Sequence, residues 1–194
     1  MGILDAMENS GHWTPAAATA TGERIRALRA QRGISLSELA RRAGIGKATL
    51  SGLETGTRNP TAETLYAIAG QLDVPLAMLL SAPGGQLGVP DVHGSAVIAR
   101  LLEVFQDGGD GGTSTELYRL EIRPGVLQTS PAHPRGVIEY LTVFSGTAQV
   151  GPAGSPLTVR AGEHASWAAD TPHTYAALGH EPVHASLLIR HPLG

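Results

Sequence analysis

The stretch Ser81 to Ser95, "SAPGGQLGVPDVHGS", constrains the fold more than any other, because the spacing of apolar residues changes across it. Before it they recur at helical intervals, with Leu36, Leu39, Ala40 and Ala43 in one run and Leu65, Ile68, Ala69 and Leu72 in another. After it come short strand-like runs, among them "AVIARLLEVF", "TELYRLEI", "GVIEYLTVF", "HASWAA", "HTYAAL" and "HASLLIR", separated by Gly, Pro and Asp turns. A chain of 194 residues is long enough for two small domains, each with its own core. The pattern predicts a flexible leader over 1–21, an all-helical unit over 22–80, a linker over 81–95 and an all-β unit over 96–194.

Charge divides at the same place. Residues 22–80 carry eight Arg and Lys against five Asp and Glu, leaving six and twelve for the rest of the chain. A basic head on an acidic body suits a polyanionic partner. The absence of cysteine excludes disulfides, thiolate zinc sites and cysteine nucleophiles. The first residues lack the basic and apolar regions of a signal peptide, and no apolar run reaches the roughly 20 residues needed to span a bilayer, so a cytoplasmic protein without membrane contact is expected.

Within the helical unit, "SLSELARRAG" opens on Ser35-x-x-Glu38, the spacing of a capping box, and ends at Gly44. A minimal turn leads to "GKATLSGLETG". At about 100° per residue, Lys47, Ala48, Ser51 and Thr55 project within roughly a quarter turn, while Thr49, Leu50 and Leu53 point the other way toward the core. The whole run "GISLSELARRAGIGKATLSGLETGTRNPTAETLYAIAGQLDVPLAMLL" resembles the Cro/C1-type helix-turn-helix domain of the XRE family, a five-helix, lambda-repressor-like fold.

The resemblance makes the third helix the recognition helix. It implies that Lys47, Ala48, Thr49 and Ser51 meet base edges and that Arg41, Arg42 and Arg58 meet phosphates. Arg29 and Glu54 match positions that form an ion pair between the first and third helices in relatives. One position departs: where the family often has a long Gln or Arg, this chain has Gly52. Readout is therefore expected to lean on Lys47, backbone contacts and DNA shape.

In the β unit, Pro124-Gly125, "PAHPRGVIEYLTVFSG" and "VRAGEHASWAADTPHTYAALG" resemble the two motifs of the cupin barrel, a double-stranded β-helix or jelly roll. The resemblance implies Glu139 and His173 as metal-ligand positions. The first histidine of the pattern falls on Pro131, leaving His133, one residue farther from Glu139 than usual. Residues six apart on an unbroken strand lie about 20 Å apart, whereas ligands of one metal sit within about 4 Å of each other. The chain must therefore fold back between them, and Pro134-Arg135-Gly136 is the expected turn.

His133, Glu139, His173, Trp167, Tyr175 and Arg135 are expected to line an effector pocket, with no cofactor. The alternative is a divalent metal (Fe, Zn, Ni or Mn) held by His133, Glu139 and His173. No catalytic motif is evident. The chain is expected to be a homodimeric, non-enzymatic transcriptional regulator that binds operator DNA and a small-molecule effector. The alternatives are an iron enzyme of the hydroxypropylphosphonate epoxidase type, or a cupin that serves only for dimerisation.

Overall fold

The computed structural model describes residues 13–80, 91–107 and 112–192. The chain divides into two compact units, Met1–Val92 and His93–Gly194. Most of the expected linker, residues 81–90, lies outside the described residues, as do residues 1–12 of the expected leader.

The first unit holds five helices among its described residues: α1 (Pro15–Gln31), α2 (Leu36–Arg42), α3 (Lys47–Glu54), α4 (Ala62–Gln71) and α5 (Ala77–Leu80). Helix α1 begins inside the segment expected as leader. Thr14 caps it by accepting from the Ala17 N–H, Pro15 occupies the first turn, and Ala18 and Thr21 are buried. The cause is local: Thr-Pro is a helix-start pair and the Ala-rich run that follows propagates well. Ser35 caps α2 by accepting from the Glu38 N–H at 3.1 Å. The Glu38 carboxylate turns instead to Arg41 and Arg42, so only the serine half of the expected capping box forms.

Ile25, Leu39, Leu50, Leu53, Leu65, Ile68, Leu72 and Leu79 are buried together as the core of this unit. Burial of each large aliphatic side chain contributes about 1.5–3 kcal/mol. Helix α1 packs on α3 at a distance only glycine allows. A Cβ at Gly22 would lie 2.2 Å from the Leu53 carbonyl oxygen.

The second unit is built from β1 (Val92–His93), β2 (Val97–Asp107), β3 (Thr113–Ile122), β4 (Leu127–Ser130), β5 (Ile138–Ser145), β6 (Thr147–Pro152), β7 (Leu157–Arg160), β8 (His164–Ala168), β9 (His173–Ala177) and β10 (Val183–Pro192). Strand β1 falls where a linker was expected, and β4 lies outside the strand-like runs named from the sequence. The ladders form two antiparallel sheets, β1-β2-β3-β10-β5-β8 and β4-β9-β6-β7. The closed barrel of the expectation is thus seen as two sheets.

Alternation sorts the side chains. On β3 the buried positions are Ser114, Glu116, Tyr118, Leu120 and Ile122, and on β10 they are Val183, Ala185, Leu187, Ile189 and His191. The inward face is therefore apolar at one end and polar at the other. The register aligns those polar ends, pairing His191 with Ser114 and Ile189 with both Glu116 and Glu139.

Candidate functional site

Helices α2 and α3 are joined by the turn around Gly44, and α3 presents Lys47, Ala48, Ser51 and Thr55 to solvent while Leu50, Leu53 and Glu54 are buried. Thr49 is half-buried. The Arg29 guanidinium clamps Glu54, with Nε–Oε1 at 2.6 Å and Nη2–Oε2 at 2.9 Å, and a third N–H donates to the Ile34 carbonyl. This bidentate pair locks the inner side of α3 to α1, the structural role the resemblance implied. Arg41 and Arg42, expected at phosphates, both pair with Glu38: Arg41 spans its two oxygens at 2.7 and 3.0 Å, and Arg42 Nε adds a contact at 2.7 Å. The two guanidiniums hold the Glu38 carboxyl down at about 2.

The second unit brings together residues from both sheets. Glu139 lies on β5, His173 on β9 and His133 just after β4, so no local segment makes the cluster. The fold-back that His133 requires is present: the Val137 N–H donates to the Pro134 carbonyl, and Gly136 turns the chain with φ +87°. His133 is anchored by its own N–H on the Ala169 carbonyl at 2.8 Å. Its Nε2 then stands 3.0 Å from Glu139 Oε1, and His173 Nε2 stands 3.3 Å from the same oxygen. The three donor atoms lie within 4.8 Å of one another.

The hydrogen bonds around the cluster fix its protons. His173 Nδ1 donates to the Thr171 carbonyl at 3.0 Å, which leaves Nε2 as the ring nitrogen turned to Glu139. That nitrogen is buried and has no hydrogen-bond partner among the described residues. It faces a carboxylate oxygen at 3.3 Å, so a positive charge, a proton or a metal ion, belongs between them. Burial alone pushes the Glu139 carboxyl up, but the hydrogen bonds and charge of His133 and His173 outweigh it and hold the group below the usual carboxylate range. Burial pulls the His173 ring down, and the Glu139 carboxylate and the Thr171 carbonyl reverse this and raise it.

A cation other than a proton fits the same place. Tyr175 donates its hydroxyl to Glu139 Oε2, leaving Oε1 turned toward the two histidines. A histidine pinned through its outer nitrogen and a carboxylate oriented by a hydroxyl are the supports that metal ligands ordinarily have. His133, Glu139 and His173 therefore have the chemistry to hold a divalent metal, and two His with one carboxylate leave coordination positions open.

Comparison with known proteins now fixes the family. The helix-turn-helix family HTH_3 matches residues 25–79. The HTH-type transcriptional regulator SutR of Escherichia coli (strain K12) is 34% identical over 168 residues, covering 87% of this chain and 93% of that protein. The chain belongs to the HTH-type transcriptional regulators of the XRE family. The crystal structure of an HTH_3 family transcriptional regulator from Vibrio cholerae covers 92% of the chain and 99% of its own, with TM-score 0.78 and 25% identity. The Cupin_2 domain of an XRE family transcriptional regulator from Enterobacter cloacae covers 50% of the chain and 99% of its own, at TM-score 0.44 and 28% identity.

Measured against those expectations, the site gains and loses members. Trp167 and Tyr175 are brought to it: both are buried, their rings meet edge to face with centroids 6.2 Å apart, and Trp167 pairs in register with Glu139. Arg135 is not, because it stays exposed on the outside of the turn that delivers His133. The expectation of a non-enzymatic chain without catalytic apparatus is overturned by the cluster itself. A buried His-Glu-His set within 4.8 Å offers the donor atoms for a metal ion, so a flat exclusion of metal-assisted chemistry does not stand.

Sequence reasoning missed a neighbouring group. Glu116 is fully buried, Tyr118 donates to its Oε2 at 3.1 Å and His191 Nε2 lies 3.3 Å from the same atom. The His191 ring meets His133 edge-on, with centroids 6.2 Å apart. The signal was the alternation on β3, where Ser114 and Glu116 take inward positions that Leu120 and Ile122 fill farther along.

Among the described residues, none of the helices is long and apolar enough to cross a membrane.

Proposed function

We propose that this XRE-family protein is an operator-binding regulator whose cupin barrel holds a divalent metal as the docking point for a small-molecule effector. Residues 22–80 carry the DNA contacts: Lys47, Ala48, Thr49 and Ser51 on α3 face base edges, and Arg41 and Arg42 exchange Glu38 for phosphates. One short recognition helix reads few base pairs, so a homodimer binding two half-sites is part of the reading. Residues 96–194 form the sensor.

One observation carries the sensor half. His173 Nε2 is buried and without a hydrogen-bond partner among the described residues, yet aimed at Glu139 in a cluster of three metal-donor atoms. Two further buried groups, Ser114 Oγ and Trp167 Nε1, also lack a partner among the described residues. Leaving such groups unsatisfied costs about 1–3 kcal/mol each, which a polar ligand would relieve. A bound metal would supply a Lewis acid with positions for an oxygen- or nitrogen-bearing effector, and Fe(II) suits this donor set. The protein's own residues hold and orient: Thr171 fixes the His173 tautomer, Tyr175 fixes Glu139, and Trp167 offers an N–H.

The test is metal content joined to operator binding. The purified full chain is expected to take up about one Fe(II), Zn(II), Ni(II) or Mn(II) per protomer, and His173→Ala and His133→Ala to take up less than a tenth of that. Chelation is expected to change wild-type affinity for its selected operator. Absence of stoichiometric metal under every loading condition, or operator affinity indifferent to chelation, would sink the sensor reading.

A further inference from the structure

Gly52 leaves a bare patch on the exposed flank of α3, and another side chain lies across it. We infer that Arg58, from the turn that follows α3, is a base-reading residue that recognises a guanine edge in the major groove. The inference rests on the reading that α3 enters that groove.

The patch is covered by an arginine stem. A Cβ placed on Gly52 would stand 3.1 Å from both Cγ and Cδ of Arg58. The turn that delivers Arg58 is tied to the end of the helix. The Arg58 and Thr57 N–H groups both donate to the Gly52 carbonyl, at 3.2 and 2.9 Å, and the Thr57 hydroxyl donates to it at 3.2 Å. The Thr55 hydroxyl donates to the Ser51 carbonyl at 3.0 Å. From that anchored start the side chain runs back toward the helix N-terminus, where its Nη1 donates to Thr49 Oγ1 at 3.2 Å.

Residue 58 follows the helix in sequence, yet its guanidinium sits beside the first turn of α3. The N-terminal part of a recognition helix is the part that contacts base edges. An arginine has five N–H donors in a rigid fork, and the bond to Thr49 uses one of them. The planar fork matches guanine O6 and N7 in bidentate fashion with a fixed geometry that the ammonium of Lys47 lacks.

Its surroundings separate Arg58 from the other arginines of this face. Arg41 and Arg42 share the Glu38 carboxylate, and Arg29 is paired with Glu54. Arg58 has no carboxylate partner among the described residues and remains exposed. Its stem already lies across Gly52 in the free protein, a placement that lowers the side-chain freedom lost on binding. The absence of a side chain at position 52 thus makes room for a longer reader from outside the helix.

The experiment is selection of bound duplexes from a randomised pool by the full-length chain, followed by sequencing, for wild type, Arg58→Ala, Arg58→Lys and Gly52→Ala. Wild type is expected to enrich a guanine at one position per half-site. Arg58→Ala and Arg58→Lys are expected to lose that preference by about tenfold or more while keeping the other positions. Gly52→Ala is expected to lose the same position, because its methyl group displaces the arginine stem. Its thermal midpoint should not fall, since alanine is the better helix former. The double variant should be no worse at that position than Arg58→Ala alone.

An Arg58→Ala protein that keeps the full wild-type preference, weakens all duplexes alike and has a salt slope shallower by about one would make Arg58 a phosphate contact and overturn the inference. Loss at a position that Gly52→Ala leaves untouched would also overturn the proposed seating of the stem. Failure of wild type to enrich any sequence would overturn the DNA-binding reading together with this one.

Discussion

Two buried carboxylates, one in each unit, are held in opposite ways. Glu54 lies under α3 with both oxygens taken by one arginine, a pair complete within the protein. Glu139 lies inside the β unit with one oxygen taken by Tyr175 and the other facing two histidines, one of whose nitrogens has no hydrogen-bond partner among the described residues. A satisfied buried charge is a fastener. A buried nitrogen without a hydrogen-bond partner beside a carboxylate oxygen leaves a place that a cation would complete. The difference separates structure from site more sharply than burial does, since both side chains are more than nine-tenths buried.

The largest effect is expected at the complete pair. Arg29→Ala strands the Glu54 carboxylate and removes the tie between α1 and α3. The expected loss is about 3 kcal/mol, toward the low end for a buried pair broken on one side, because Arg29 retains some exposure. Urea unfolding followed by far-UV circular dichroism reads this directly. If Glu54 is only a fastener, Arg29→Met combined with Glu54→Leu should recover most of the loss, as apolar replacements of whole buried pairs do. A double variant as unstable as Arg29→Ala would mean that the pair does more than hold two helices together.

At the unfinished site the expected effect is on metal and not on folding. Tyr175→Phe removes the hydroxyl that orients Glu139 and leaves the ring packed on Trp167. Loss of such an orienting partner typically costs 10–100-fold in metal affinity. Competition with a chelator of known affinity measures it, and an unchanged thermal midpoint for the metal-free protein would show that the hydroxyl serves the site. A variant that binds metal as tightly as wild type would return Tyr175 to the core.

The two carboxylates also differ in how far they could be read before the structure. Arg29 and Glu54 sit on helices whose period and caps are local, so matching the helix-turn-helix pattern was enough to pair them. Glu139 and His173 were legible from their place in the cupin motifs, but the arrival of His133 depended on a turn at Gly136 that spacing could only require. Glu116 and His191 were not legible at all. They meet through the pairing of β3 with β10, and the register of strands so distant in the chain is set by long-range packing. Helix α1 shows the reverse error: Thr14, Pro15 and the alanines were adequate start signals, set aside because Ala, Thr and Pro together resemble a leader.

A third carboxylate marks the exposed limit of the comparison and carries the smallest expected effect. Glu38 lies at the surface of α2 and draws Arg41 and Arg42 onto itself. Exposed pairs of this kind contribute little to stability, because water and salt already screen them. Glu38→Gln should therefore leave the thermal midpoint within experimental error. Its consequence falls on DNA, since two guanidiniums that shared one carboxylate are released to phosphates. Affinity for the selected operator should rise at low salt, and the plot of log affinity against log salt should steepen by up to about 0.9 for each additional phosphate neutralised. A variant with unchanged salt dependence would place α2 away from the phosphates. One that unfolds early would make Glu38 a fastener like Glu54, and exposure would then be no guide to which carboxylates the fold requires.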